Sequence, residues 1–305
     1  METKLFKHSL LGEYSLTVLE NGLSVYIMEK PGFDSCFALY GTKYGSINTK
    51  FSRNGGKEIE VPAGIAHFLE HKLFESEEGD TFQRFAKTGA YCNAYTSFDK
   101  TCYIFSCTKG FSENLDILLD FVQSPYFTAE TVAKEQGIIA QEIKMYEDNP
   151  GWRVFFNLLR AMYKNHPVKI DIAGTVESIA QIDDKLLYEC YNTFYNPTNM
   201  CICVAGNIKT REVLAQIEKG MKPVERVTVK TADFAETKEV ETHYTEQSLE
   251  VSKPLFCLGF KDIPTSSRVS IKDRMVAGIT LDLLCGECSA LYRILQEKGL
   301  IDNEL

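Results

Sequence analysis

The sequence contains no apolar run approaching the 18 or more residues of a membrane-spanning helix. Its start, METKLFKHSLLGEY, lacks the continuous apolar stretch of a secretory signal. A basic excess is missing as well: 33 Lys and Arg face 42 Asp and Glu, a formal net charge of −9. That balance argues against nucleic acid or an anionic membrane as a partner and favours a cationic one. Nine prolines and 20 glycines in 305 residues are too few for a collagen-like chain, and 44% hydrophobic side chains are too many for a disordered one. The composition is that of a soluble globular protein, which we expect to be cytoplasmic. Its length allows about two domains of roughly 150 residues each.

Ten cysteines are present without an export signal, so a disulfide scaffold is not expected. Cys36, Cys102, Cys201, Cys203 and Cys257 stand in apolar, strand-like runs, where a reduced thiol behaves as a small hydrophobe. Cys285 and Cys288 have CxxC spacing, but no second CxxC or nearby histidine completes a redox or zinc site.

Along the chain, two alternating runs between Tyr14 and Glu29 flank Asn21-Gly22, a hairpin signal because both residues tolerate φ > 0. Strands are expected at Cys36–Tyr40, at two places between Ala90 and Cys107, and at Met200–Ala205. Helices are expected from Gly64 to Glu75 behind Pro62, from Asp80 to Gly89, and over 112–123, 129–147, 152–164, 184–194 and 211–219. Asn149-Pro150-Gly151 breaks the longest of them. Between about 221 and 254 the chain turns polar and acid-rich, with room for short strands at Val227, Val229 and Val240. Leu255–Phe260 then reads as the opening strand of another domain and Arg274–Leu284 as an apolar helix inside it. The expected division is 1–220, a linker at 221–254, and an incomplete domain at 255–305.

Chemistry concentrates in His67-Phe68-Leu69-Glu70-His71, where two of only five histidines stand four apart. On a helix, positions i and i+4 share a face, so both imidazoles reach one ion, and Glu70 lies near that face without being needed as a ligand. Zn²⁺ with three protein ligands lowers the pKa of a bound water from about 15.7 to about 7 and polarises a carbonyl, and the glutamate of such an H-x-x-E-H order serves as general base. Two imidazoles and a carboxylate also suit Fe(II), Co or Mn. The alternative, two histidines merely lining an amphipathic helix, is weakened because Ile65, Phe68, Leu69 and Leu73 already supply the apolar face. The third ligand must come from elsewhere. The helix at 129–147 offers Glu135, Glu142 and Glu147, among which spacing alone does not choose, and its small residues Gly137 and Ala140 would allow close helix approach.

These residues resemble the pitrilysin/insulinase-type inverse-zincin metallopeptidases, in particular the bacterial processing-peptidase-like branch. The resemblance rests on GIAHFLEHKLFE at 64–75, NAYTSFDKTCY at 93–103 and Glu135-x6-Glu142. It continues through His166-Pro167, GTVESI at 174–179 and YNPTNM at 195–200. It implies that His67, His71 and Glu142 bind zinc, that Glu70 is the base and that Glu135 supports the site. It further implies an α+β fold, a mostly antiparallel sheet packed against helices, with Asn93 and Ala94 on an edge strand that pairs with extended peptide. The family's modules hold two such domains, and two modules enclose a chamber, so this chain reads as one complete zinc domain plus the start of a second. No segment matches the late Arg and Tyr that orient substrate in many members. The expected function is a zinc-dependent endopeptidase subunit acting on peptides or unfolded polypeptide segments, with a second family module as homo- or heterodimer partner. The alternative is a non-catalytic peptide-binding or assembly subunit, or a truncated inactive peptidase.

Overall fold

A computed structural model of the chain describes residues 2–9, 12–77, 79–262 and 271–301. It divides into two units, Met1–Gly259 and Phe260–Leu305. The first is built on strands β1 (Thr3–His8), β2 (Gly12–Val18), β3 (Ser24–Glu29), β4 (Cys36–Thr42), β5 (Lys50–Arg53), β6 (Ile59–Glu60), β7 (Glu75–Ser76), β8 (Gly79–Asp80), β9 (Tyr91–Thr96), β10 (Thr101–Cys107), β11 (Met200–Gly206) and β12 (Val229–Thr231). Its helices are α1 (Ile65–Leu73), α2 (Thr81–Thr88), α3 (Phe111–Val122), α4 (Ala129–Glu147), α5 (Pro150–Met162), α6 (Val176–Ile179), α7 (Asp184–Phe194) and α8 (Thr210–Gly220).

Seven strands form one sheet in the order β1-β2-β3-β11-β4-β10-β9, with every pairing antiparallel except β11 on β3. Alternation along each strand decides its two faces. Val25 and Ile27, Ala38 and Tyr40, Tyr103 and Phe105, and Ile202 and Val204 are buried toward the core, while Tyr26 and Phe37 are exposed. Leu115, Leu118, Leu119 and Val122 of α3 and the apolar residues of α1 join that core. The result is the α+β arrangement expected of the sequence. β12, inside the 221–254 stretch, pairs antiparallel with β5 and ties that stretch to the first unit.

The hairpin at Asn21-Gly22 forms, but only Gly22 takes a positive φ (95°). Its N–H donates to Leu19 O and Leu19 N–H to Leu23 O, so the connection is a three-residue loop with the left-handed residue last rather than a two-residue turn. Asp80 and Gly89 cap α2 as anticipated, the Asp80 carboxylate accepting from Phe82 N and Gly89 adopting φ 71°. Two expectations for the helices change. α1, opened by Gly64 in the left-handed region, ends at Leu73, and Glu75 belongs to β7. A Cβ at Gly137 would meet nothing within 4 Å, so no close helix approach is made there.

In the second unit, α9 (Ile271–Cys285) and α10 (Ala290–Glu297) are helical, yet α9 buries none of its residues and so is not the interior helix expected. Residues 271–297 taken as one segment have the length and composition to cross a membrane. The segment is interrupted between Cys285 and Ala290, and the fifteen residues of α9 rise about 22 Å against a hydrocarbon core of about 30 Å. Leu255–Phe260 is not a strand: its apolar side chains are exposed, and no neighbouring strand among the described residues supplies the ladder that would hold it. Cys257 is correspondingly exposed, as are Cys285 and Cys288, and all ten thiols are free.

Candidate metal centre

α1 carries the motif, and its sequence explains why it is buried almost all round. Ile65, Ala66, Phe68, Leu69 and Leu73 pack into the core, and the two ionic residues that follow the motif, Lys72 on α1 and Glu75 on β7, pair with each other. Burying each large apolar side chain is worth about 1.5–3 kcal/mol, enough to carry the polar residues of the motif into a sparsely hydrated place. His67 and Glu70 are both only 8% exposed.

α4 supplies the carboxylates. Thr128 caps its start with a reciprocal Thr131 bond, and Glu135 and Glu142, two turns apart, both face α1. Glu142 lies with Oε1 3.7 Å from His67 Nε2 and Oε2 3.5 Å from His71 Nε2. Glu135 Oε1 is 3.0 Å from His71 Nδ1, where the carboxylate accepts a hydrogen bond from the ring. Glu147, the third carboxylate offered by the sequence, is exposed on the helix's last turn.

Among the described residues, His67, His71 and Glu142 form the one group whose donor atoms all lie within 4.8 Å of one another. Tetrahedral zinc with bonds of about 2.0–2.2 Å needs ligand atoms roughly 3.3 Å apart, close to the two distances above. The His67 nitrogen directed at Glu142 is Nε2, while its buried Nδ1 has no hydrogen-bond partner among the described residues.

Electrostatics follow from burial. Burial and the neighbouring His71 depress His67 to about 4, so it is a neutral donor at physiological pH. Burial opposes a charge on His71 too, but the Glu135 bond and the Glu70 and Glu142 carboxylates outweigh it and hold the ring above its ordinary value. Burial raises Glu70, partly offset by His71 and by Thr96 Oγ1, which donates to Glu70 Oε2 at 3.0 Å.

A cleft of about 740 Å³ contains these groups and extends along β9 past Asn93 and Ala94. β9 is the edge of the large sheet, as expected for that segment. Asn93 is exposed; its Nδ2 donates to Tyr91 Oη and its Oδ1 accepts from Ala94 N.

Residues 54–176 match the family model described as insulinase (peptidase family M16), and residues 181–303 match the one described as the peptidase M16 inactive domain. An uncharacterized zinc protease of Bacillus subtilis, YmfH, is 46% identical over 93% of this chain and 68% of its own length. The chain belongs to the M16 (insulinase) peptidase family. A second M16-type relative, an uncharacterized zinc protease of Rickettsia felis, is 31% identical over 68% of the chain, which spans about half (49%) of that protein. The crystal structure described as that of an M16-like peptidase from Alicyclobacillus acidocaldarius superposes with a TM-score of 0.84 at 37% identity, covering 99% of this chain and 70% of that one.

Three residues of this M16 site went unassigned in the sequence. Thr96, which holds the Glu70 carboxylate, stands two residues beyond Ala94 in the same segment. Tyr146, whose Oη donates to Glu142 Oε1 at 2.7 Å, is the i+4 neighbour of Glu142 and could have been read from that spacing. Trp152 reaches the cleft from the next helix, and no spacing signal marks it.

Proposed function

We propose that this chain is the zinc-binding subunit of an endopeptidase hydrolysing peptides or unfolded polypeptide segments. The observation that carries the reading is the convergence of His67 Nε2, His71 Nε2 and the Glu142 carboxylate, with Glu70 held apart from them by Thr96 in the same cleft. His67, His71 and Glu142 would hold Zn²⁺, and Glu135 would fix the tautomer of His71. The ion, when bound, supplies Lewis-acid polarisation of the scissile carbonyl and acidifies the attacking water. Glu70 takes the proton from that water and passes it to the leaving amine. The exposed edge of β9 at Asn93 and Ala94 orders an extended peptide by strand addition, a mode that tolerates many sequences.

A second family module, as a homo- or heterodimer partner, would complete the enclosure around the substrate. The net charge of −9 accords with a cytoplasmic protein acting on peptide rather than on nucleic acid or membrane. The decisive variant is Glu70→Gln, assayed on an unstructured peptide with a full-length family module present. Zinc content is expected to remain and hydrolysis to fall by about 10²–10⁴-fold; hydrolysis that survives the change overturns the mechanism.

The second reading is a non-catalytic peptide-binding or assembly subunit, motivated by the chain's 68% and 49% shares of its relatives' lengths. Both readings predict bound zinc. They separate on hydrolysis by the chain alone and after the partner module is added.

A further inference from the structure

α4 ends at Glu147, and Asn149 starts α5 at once, its Oδ1 accepting from Trp152 N at 3.0 Å with Pro150 at the first helical position. That abrupt junction turns Trp152 back onto Tyr146. The two rings stack with centroids 4.6 Å apart and planes 16° from parallel. The far edge of the indole is anchored in turn, Trp152 Nε1 donating to Asp171 Oδ2 at 2.5 Å. Asp171 is itself fixed, since its Oδ1 accepts from Ala173 N at 3.1 Å and its carbonyl from Gly174 N at 3.0 Å. At the other end of the stack Tyr146 Oη donates to Glu142 Oε1. Oε2 of Glu142, 3.5 Å from His71 Nε2, carries no hydrogen bond among the described residues.

A glutamate side chain loses up to about 1.5–2 kcal/mol of rotamer freedom when fixed, so a lone Glu142 would bind a cation only after meeting that cost. Resting on the zinc-centre reading above, we infer that Asp171, Trp152 and Tyr146 form a positioning device that fixes Glu142 before metal arrives. The device occupies Oε1 and presents Oε2 as the donor. Asp171 sets the indole, the indole face sets the phenol, and the phenol sets the carboxylate. Tyr146 is therefore a positioning residue and not a ligand.

Trp152 is the chain's only tryptophan, so its emission reports on this device without labelling. The test compares wild type with Tyr146→Phe, which keeps the stacked ring and removes only the hydroxyl. Zinc affinity is measured by competition with a chelator, and Trp152 emission is followed during the same titration. Wild type is expected to bind zinc with a change in emission. Tyr146→Phe is expected to bind 10–100-fold more weakly, the usual effect of losing a partner to a metal ligand. The zinc-free variant should melt with the zinc-free parent, which separates orientation from general destabilisation. Asp171→Asn, acting one step further back, should weaken zinc by a smaller factor. Zinc binding by Tyr146→Phe with parental affinity overturns this inference alone. A wild-type chain that takes up no zinc overturns the metal-centre reading and this inference with it.

Discussion

Gly64→Ala tests how tightly the scaffold holds α1. Gly64 opens that helix at φ 89°, ψ −12°, a left-handed conformation that costs a residue with a Cβ about 1–2 kcal/mol. The added methyl would sit 2.4 Å from Ala173 O and 2.9 Å from Ala173 C, backbone atoms that cannot rotate away. The contact must open to at least 3.0 Å. The opposing loop is built the same way: Gly174 has φ 77°, and a Cβ there would meet Ala63 O at 2.5 Å, while Ser178 Oγ donates to Ala63 O at 2.8 Å. Neither loop can retreat without stretching the Ser178 Oγ bond to Ala63 O. Overpacking of this kind adds about 1–3 kcal/mol, so the total penalty is about 3 kcal/mol. For a unit of this size that lowers Tm by roughly 6–12 °C. Because His67 is the third residue of α1, zinc affinity should fall with stability. Thermal melting of zinc-free protein by circular dichroism, with chelator competition for zinc, reads both. Gly174→Ala provides the reciprocal insult and should behave alike. A Gly64→Ala chain that melts with the parent would refute the interlock.

Gly137→Ala should act in the opposite direction. Gly137 is exposed inside α4 with open space where a Cβ would go, so removing a helix-interior glycine gains about 0.5–1 kcal/mol and raises Tm by a few degrees; a fall would show an unrecognised contact. His166 gives a pH signature. Val168 N donates to its Nδ1 at 3.1 Å, a bond only the neutral ring accepts, and burial holds the imidazole below 6.5 against the opposing pull of Glu236 and Asp233. As pH falls, the unfolded chain protonates first. The stability from the neutral ring is therefore complete above about 6.5 and is lost as pH drops through the lower folded value. Tm of His166→Gln should depend less on pH below 6.5 than Tm of the parent, and parallel profiles would exclude the effect.

Local signals made much of this molecule readable. The bounds of α4 follow from a threonine cap in front and an Asn149-Pro150 start behind, both properties of adjacent residues. His67 and His71 follow from helical spacing. The third ligand did not, because Glu135, Glu142 and Glu147 all sit on one helix, and only the packing of α4 against α1 turns two of them inward. Leu255–Phe260 shows the converse limit: an apolar run describes a chain suited to a sheet but supplies no partner strand. The insertion of β11 between β3 and β4 is likewise beyond local pattern, since it joins residues 158–177 positions apart.

The shifts of Glu70 and His71 arise in one cleft from different leading causes. Glu70, Glu135 and Glu142 meet two imidazoles in one cleft, where burial leaves the Glu70 charge poorly solvated. Glu70 and His71 are both displaced toward their protonated forms, one mainly by burial, the other because the carboxylates around it outweigh burial. Protons do in the free chain what a dication would do in the proposed centre, and the two would compete for the same charge. The burial that raises Glu70 also depresses His67 and opposes a charge on His71. It comes from the apolar residues that interleave the motif on α1.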